Sequence, residues 1–155
     1  MAVDIGIEET ARKEITGHLE RLLADTYTLY LKSQNFHWNV TGPMFRSLHL
    51  MFEEHYMELR DAADLIAERI RALGYPAPGS YAAFARLTQI PEGLGTENAM
   101  EMVRSLAEGH EAAARCARAV VEAAEAAGDV ATADLATARI ETHEKTAWML
   151  RATAA

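Results

Sequence analysis

The sequence predicts an all-α protein, a four-helix bundle with one long crossover. Three observations carry that reading. Four long stretches repeat apolar residues at the helical period, nothing between them alternates like a strand, and a proline- and glycine-rich segment separates the second stretch from the third.

The first helix is expected from about Ile7 to Trp38, with Leu19, Leu22, Leu23, Thr26, Tyr27, Tyr30 and Leu31 as its apolar stripe, ending near Asn39. Thr41-Gly42-Pro43 then reads as a break, an N-cap and a proline in the first turn of a second helix that continues to Leu73. Gly74 closes that helix and Pro76 follows it. The segment from Tyr75 to Gly95 holds Pro76, Pro78 and Pro91 with Gly79, Gly93 and Gly95, yet Ser80 to Leu87 (SYAAFARL) suits a short helix. A crossover carrying its own helix explains that length better than a turn does. Thr96 is a candidate N-cap for the next long helix, to Ala127, and Gly128 its C′ residue. Asp129 is the N-cap of the last, to about Ala152. The alanine-rich third long helix suits close packing, and no internal repeat is present.

At 155 residues and 50% hydrophobic composition the chain is expected to be one domain with one filled core, residues 1–155, and it has no uncharged apolar run able to span a membrane. The first thirty residues carry nine charges (Asp4, Glu8, Glu9, Arg12, Lys13, Glu14, Glu20, Arg21 and Asp25) and resemble neither a signal nor a transit peptide. A cytoplasmic location is expected. The lone Cys116, set among alanines, excludes an internal disulfide and a thiolate metal site, and reads as a small core residue. The net charge of −8 attracts cations and repels nucleic-acid phosphates, since the basic residues form no patch in the sequence.

Chemistry concentrates between His37 and Glu68, where His37, His49, Glu53, Asp64 and Glu68 form an imidazole and carboxylate set suited to a first-row metal such as iron. At 100° per residue, with His49 at zero, Glu53 falls at about 40°, Asp64 at about 60° and Glu68 at about 100°. Leu48, Met51, Phe52, Leu59, Ile66, Ile70 and Leu73 centre near roughly 260°, so the four ligand-like residues face away from the subunit's own core. The pair His49/Glu53 lies about 22 Å along the axis from Asp64/Glu68, beyond the reach of one ion. A second copy of the helix, antiparallel across a two-fold axis, would place each pair opposite the other and create two equivalent sites per dimer. His37, just ahead of the Gly42-Pro43 turn, can fold back to its own chain's His49 and Glu53. Taken singly, Asp64 and Glu68 also read as exposed charges, and Glu68 beside Arg69 as an ion pair. His55, near 240° on the wheel, reads as a core histidine. His18, His110 and His143 have no evident partner. No Glu has a His three residues later, which argues against a di-iron centre inside one bundle.

The segments HWNVTGPMFRSLHLMFE (37–53) and DLIAERIRALGYP (64–76), with THEKTAWMLRA near the C-terminus, resemble the Dps family, small ferritin-like proteins of starved bacterial cells. The likeness extends over nearly the whole chain. It implies a ferritin-like four-helix bundle with a short extra helix in the crossover between helices 2 and 3. It also implies a hollow homo-dodecameric shell and a ferroxidase centre at the two-fold interface, where His37, His49 and Glu53 of one subunit meet Asp64 and Glu68 of its mate. Iron is then oxidised by hydrogen peroxide, more slowly by oxygen, and ferric mineral accumulates inside, which protects the cell from oxidative damage. Many members have Asp where Glu53 stands, one methylene shorter. The same resemblance gives Trp38 a place beside the site, as packing or as a ring radical. It likens Asp134, and less securely the N-cap residue Asp129, to acidic residues of a three-fold iron-entry pore. DNA-binding members often carry a basic tail. The residues before Arg12 bring only Asp4, Glu8 and Glu9, so direct DNA binding is expected to be weak or absent. A container that binds iron or zinc without turnover is the alternative, because zinc accepts the same ligands.

Overall fold

The computed structural model describes residues 2–155. Five helices follow in order: α1 (Glu9–Asn39), α2 (Phe45–Ala72), the short α3 (Tyr81–Leu87), α4 (Ala99–Ala126) and α5 (Val130–Ala154). There is no strand among the described residues.

Tight turns join α1 to α2 and α4 to α5, making two hairpins. Leu29 of α1 lies against Gly109 of α4, and Asp25 against Cys116, so α4 runs antiparallel to α1 and therefore parallel to α2. A chain leaving the end of α2 must travel back along the bundle before α4 can start, and this is the work of the crossover. Polar side chains of α1 fasten it. Asp25 accepts from the Thr88 hydroxyl (2.7 Å) and the Gln89 amide (3.0 Å), Lys32 donates to the Pro91 carbonyl (2.8 Å), and Asn35 donates to the Gly93 carbonyl (2.9 Å). A Cβ on Gly109 would stand 2.7 Å from Leu29, so this glycine sets how closely α1 and α4 approach.

The helix ends follow from local chemistry. Gly74, at φ +99°, takes the left-handed C′ position of α2. The Tyr75 amide reaches the Ile70 carbonyl (3.3 Å), the Gly74 amide reaches Arg71 (3.0 Å), and Arg12 donates to the Leu73 carbonyl (2.8 Å). Ser80 caps α3 and Asp129 caps α5. Two starts differ from the sequence expectation. Gly42 adopts φ +107° and Pro43 belongs to the turn, so α2 begins at Phe45, after Met44, without a side-chain cap. The cap of α4 is Asn98 and not Thr96: its side chain accepts from the Glu101 amide while Glu101 accepts from the Asn98 amide, a reciprocal capping box.

Two apolar clusters fill the bundle. Leu19, Leu22, Ile66, Ile70, Ala117 and Val120 belong to one, and Phe36, Leu48, Phe52, Leu59, Met102 and Leu106 to the other. Cys116 is buried, and burial, followed by the Asp25 carboxylate, pushes its thiol up to about 12, leaving it inert.

Candidate metal centre

His37 occupies the last turn of α1 and His49 the second turn of α2, brought face to face by the short turn between them. Their rings stack at 3.8 Å, 12° from parallel. His37 Nδ1 lies 2.6 Å from the His49 carbonyl oxygen and His49 Nδ1 lies 2.7 Å from the His37 carbonyl oxygen. A carbonyl only accepts, so each Nδ1 carries the proton and donates it. Both Nε2 atoms are left with free lone pairs, the state a metal requires of imidazole. Phe45, one turn before His49, stacks on its ring at 5.0 Å.

Glu53 follows His49 by one turn on the same side of α2. Its place is fixed relative to the histidines by Tyr56, whose ring meets His37 edge-on at 5.3 Å. Desolvation, and then the neighbouring Glu53 carboxylate, push the Tyr56 phenol above its ordinary range. His37, His49 and Glu53 are therefore gathered at one end of α2. Tyr56 and Phe45 were not anticipated as neighbours. Tyr56 sits three residues after Glu53, so a search for aromatic residues one turn from each candidate ligand would have found it.

Asp64 and Glu68 are exposed farther along α2, about 22 Å from His49 and Glu53 in the same order. The alternative of an ion pair between Glu68 and Arg69 is not realised. Arg69 instead donates to the Thr132 hydroxyl (2.7 Å) and to Asp129 (2.9 Å). Within one chain no group of three or more metal-ligating side chains converges among the described residues. The five residues thus form two separate half-sets on one face of α2.

The comparisons agree on the family. A ferritin-like domain model matches residues 16–155. The DNA protection during starvation protein of Brevibacillus brevis is 39% identical over 134 residues, covering 86% of this chain and 90% of the relative. The chain belongs to the Dps family. The Vibrio cholerae O1 Dps structure, described as a member of a broad superfamily of ferritin-like diiron-carboxylate proteins, superposes with a TM-score of 0.93 at 31% identity, covering 98% of this chain and 96% of that one. The Bacillus brevis Dps structure gives 0.90 at 36% identity, over 93% and 97%. A Nostoc low temperature-induced protein is 40% identical over 151 residues, covering 96% of this chain and 84% of the relative. The all-α, ferritin-like bundle with an extra crossover helix is that of the Dps fold.

The remaining candidates in this Dps chain separate clearly. Trp38 is 63% exposed and lines a groove between α1 and the crossover with Asn35, Tyr81 and Gly93; the aromatic ring that meets His37 is that of Tyr56. Asp129 is buried and fully engaged, accepting from the Thr132 amide (3.0 Å), the Thr132 hydroxyl and Arg69. Burial alone would raise its pKa, but the Thr132 and Arg69 contacts outweigh it and hold the carboxyl below its ordinary range. Asp134 is exposed and makes no ion pair within the chain's described residues.

The bundle interior holds a network that the sequence reading missed. His110 and His143 are both buried, with Nδ1 atoms 2.9 Å apart. Arg139 approaches His143 Nε2 at 3.3 Å and binds Glu58 through two bonds of 2.6 and 2.9 Å. The signal was Arg139 and His143 at i, i+4 on the same stripe as Ala136, Ala147 and Leu150. A guanidinium in the middle of the bundle repels cations, which agrees with the lack of a Glu-x-x-His pattern.

Proposed function

We propose that this Dps chain oxidises and stores iron, in the cytoplasm, as a hollow dodecameric shell whose ferroxidase sites are shared between two-fold-related subunits, and that it thereby protects the cell from oxidative damage. The observation that carries the proposal is the His37/His49 pair. Two imidazoles with their Nδ1 protons committed to backbone carbonyls present two free Nε2 atoms beside Glu53, an arrangement with no evident use other than metal ligation.

Asp64 and Glu68 of a second copy complete the set. Both carboxylates are free of partners in their own subunit, and the face around them carries exposed apolar side chains, among them Met57 and Leu65 (58% exposed) on α2. Such a face favours a partner, and an antiparallel α2 is the partner that aligns the two half-sets. Ferrous iron is the substrate. The imidazoles and carboxylates hold it with positions open for the oxidant. Two ferrous ions and two protons reduce one hydrogen peroxide to two waters, and no one-electron oxygen species is released. Oxygen serves as a slower oxidant. Asp134 is the better candidate for guiding iron toward the interior, since the Asp129 carboxylate is occupied. The charge of −8 predicts weak or absent direct DNA binding.

The test is anaerobic ferrous oxidation on adding peroxide, followed by absorbance, in the native protein and in an assembled Asp64→Ala/Glu68→Ala variant. Fast oxidation in the native protein alone is expected. Equal rates would remove these carboxylates from the reaction, and no oxidation in either would leave a container that binds metal without turnover.

A further inference from the structure

Resting on the ferroxidase reading, a second set of side chains acquires a role. Three of the chain's five tyrosines form one continuous row that starts at the candidate metal centre. Tyr56 stands edge-on to His37 at 5.3 Å and beside Glu53. Tyr30 meets Tyr56 at 6.0 Å, also edge-on, and Tyr27 meets Tyr30 at 5.5 Å. The row ends where Tyr27 stacks on Phe84 of α3 at 4.9 Å. Packing alone would be served as well by phenylalanine, which is what stands at the far end. The Tyr30 hydroxyl is held by the Gln34 amide at 3.1 Å, so its position is set by a hydrogen bond as well as by ring contact.

We propose that Tyr56 supplies the missing electron when only one ferrous ion occupies the site, and that Tyr30 and Tyr27 extend it into a row of phenols that keeps the resulting radical inside the subunit. Peroxide takes up two electrons. One ferrous ion provides one, and cleavage of the O–O bond on that electron alone would leave a hydroxyl radical. With Tyr56 in contact with the ligands the balance becomes Fe2+ + H2O2 + Tyr–OH + H+ → Fe3+ + 2 H2O + Tyr–O•. The O–O bond breaks, iron and phenol each lose one electron, and the phenolic proton passes by way of the adjacent Glu53 carboxylate to the water being formed. Exchange along the row is then Tyr30–OH + Tyr56–O• → Tyr30–O• + Tyr56–OH, and likewise to Tyr27. Trp38, the residue next to His37 in sequence, makes no ring contact with the histidine pair and is not needed for this step.

The assembled protein is loaded anaerobically with one ferrous ion per site, mixed with peroxide and freeze-quenched for electron paramagnetic resonance, with a hydroxyl-radical spin trap in a parallel sample. A phenoxyl signal is expected in the native protein and is weaker when two ferrous ions per site are loaded. Tyr56→Phe loses the signal and gains the hydroxyl adduct. Tyr75→Phe, outside the row, changes neither. An undiminished phenoxyl signal in Tyr56→Phe would overturn the proposal, as would iron oxidation in the native protein with no phenoxyl signal; the second result would leave the ferroxidase reading standing. If the native protein oxidises no iron at all, both fall together.

Discussion

His37 and His49 reach the candidate centre with their protons already placed, because each ring is tied to the other's backbone at 2.6 to 2.7 Å. This preorganisation could not be read from the sequence. Helical geometry located His49, Glu53, Asp64 and Glu68 on one face, and the Gly42-Pro43 turn suggested that His37 folds back, but the reciprocal bonds and the Tyr56 contact depend on side-chain packing across two helices. Asp129 shows the opposite case, where a local signal decides the role. A capping carboxylate that also binds Thr132 and Arg69 has no lone pair to spare for passing iron. Asp129→Ala is expected to destabilise the protein by about 1–2 kcal/mol in chemical denaturation, while iron oxidation by the assembled shell is retained. The sign of its pH dependence follows. Its folded pKa lies below the ordinary 3.8, so the unfolded chain binds the proton more readily. The stability it contributes is complete above that value and is lost as pH falls through the folded pKa. Asp129→Ala should therefore differ from the native protein at neutral pH and converge on it in strong acid.

Helix ends made of a single residue type were legible at the level of elements, whereas those made by competition between candidates were not. Gly74, Gly128, Ser80 and Asp129 each supply the one conformation or acceptor that their position needs, and each sits where expected. Thr96 and Asn98 competed for one helix start, and Asn98 prevails because only it stands three residues before a glutamate, Glu101, able to return the bond. Asn98→Ala is expected to cost about 1 kcal/mol, and Thr96→Ala much less, by thermal or denaturant unfolding. The pairing of α4 with α5 carries a second consequence. His143 is buried, and burial, then Arg139, lower its pKa from 6.5 to about 3; His110 is lowered in the same sense, by burial and then by His143. Both stay neutral in the folded protein while the unfolded chain takes up protons below about pH 6.5. Stability is thus undiminished above pH 6.5 and falls as pH drops from there toward 3. Denaturant titrations between pH 7.5 and 4.5 should show that fall, and a His143→Gln variant should show a shallower one. A pH-independent slope in the native protein would contradict the assignment of neutral histidines.

The central claim concerns the whole molecule, because neither half-set of ligands is complete in one chain. The bundle, its crossover and the division of α2 into core and ligand faces were legible in the sequence, since periodicity encodes which way a helix faces. A partner's side chains are encoded only indirectly, through carboxylates left unpaired and apolar residues left exposed. The most direct test co-assembles two inactive variants, His49→Ala/Glu53→Ala and Asp64→Ala/Glu68→Ala, and measures peroxide-driven iron oxidation in the mixed shell. In a mixed dimer one site combines both damaged halves and the other both intact halves, so random pairing predicts recovery of about a quarter of the native activity. Recovery to that level would establish sites shared between subunits. A mixed shell as inactive as its parents, with mixed dimers verified, would contradict the account.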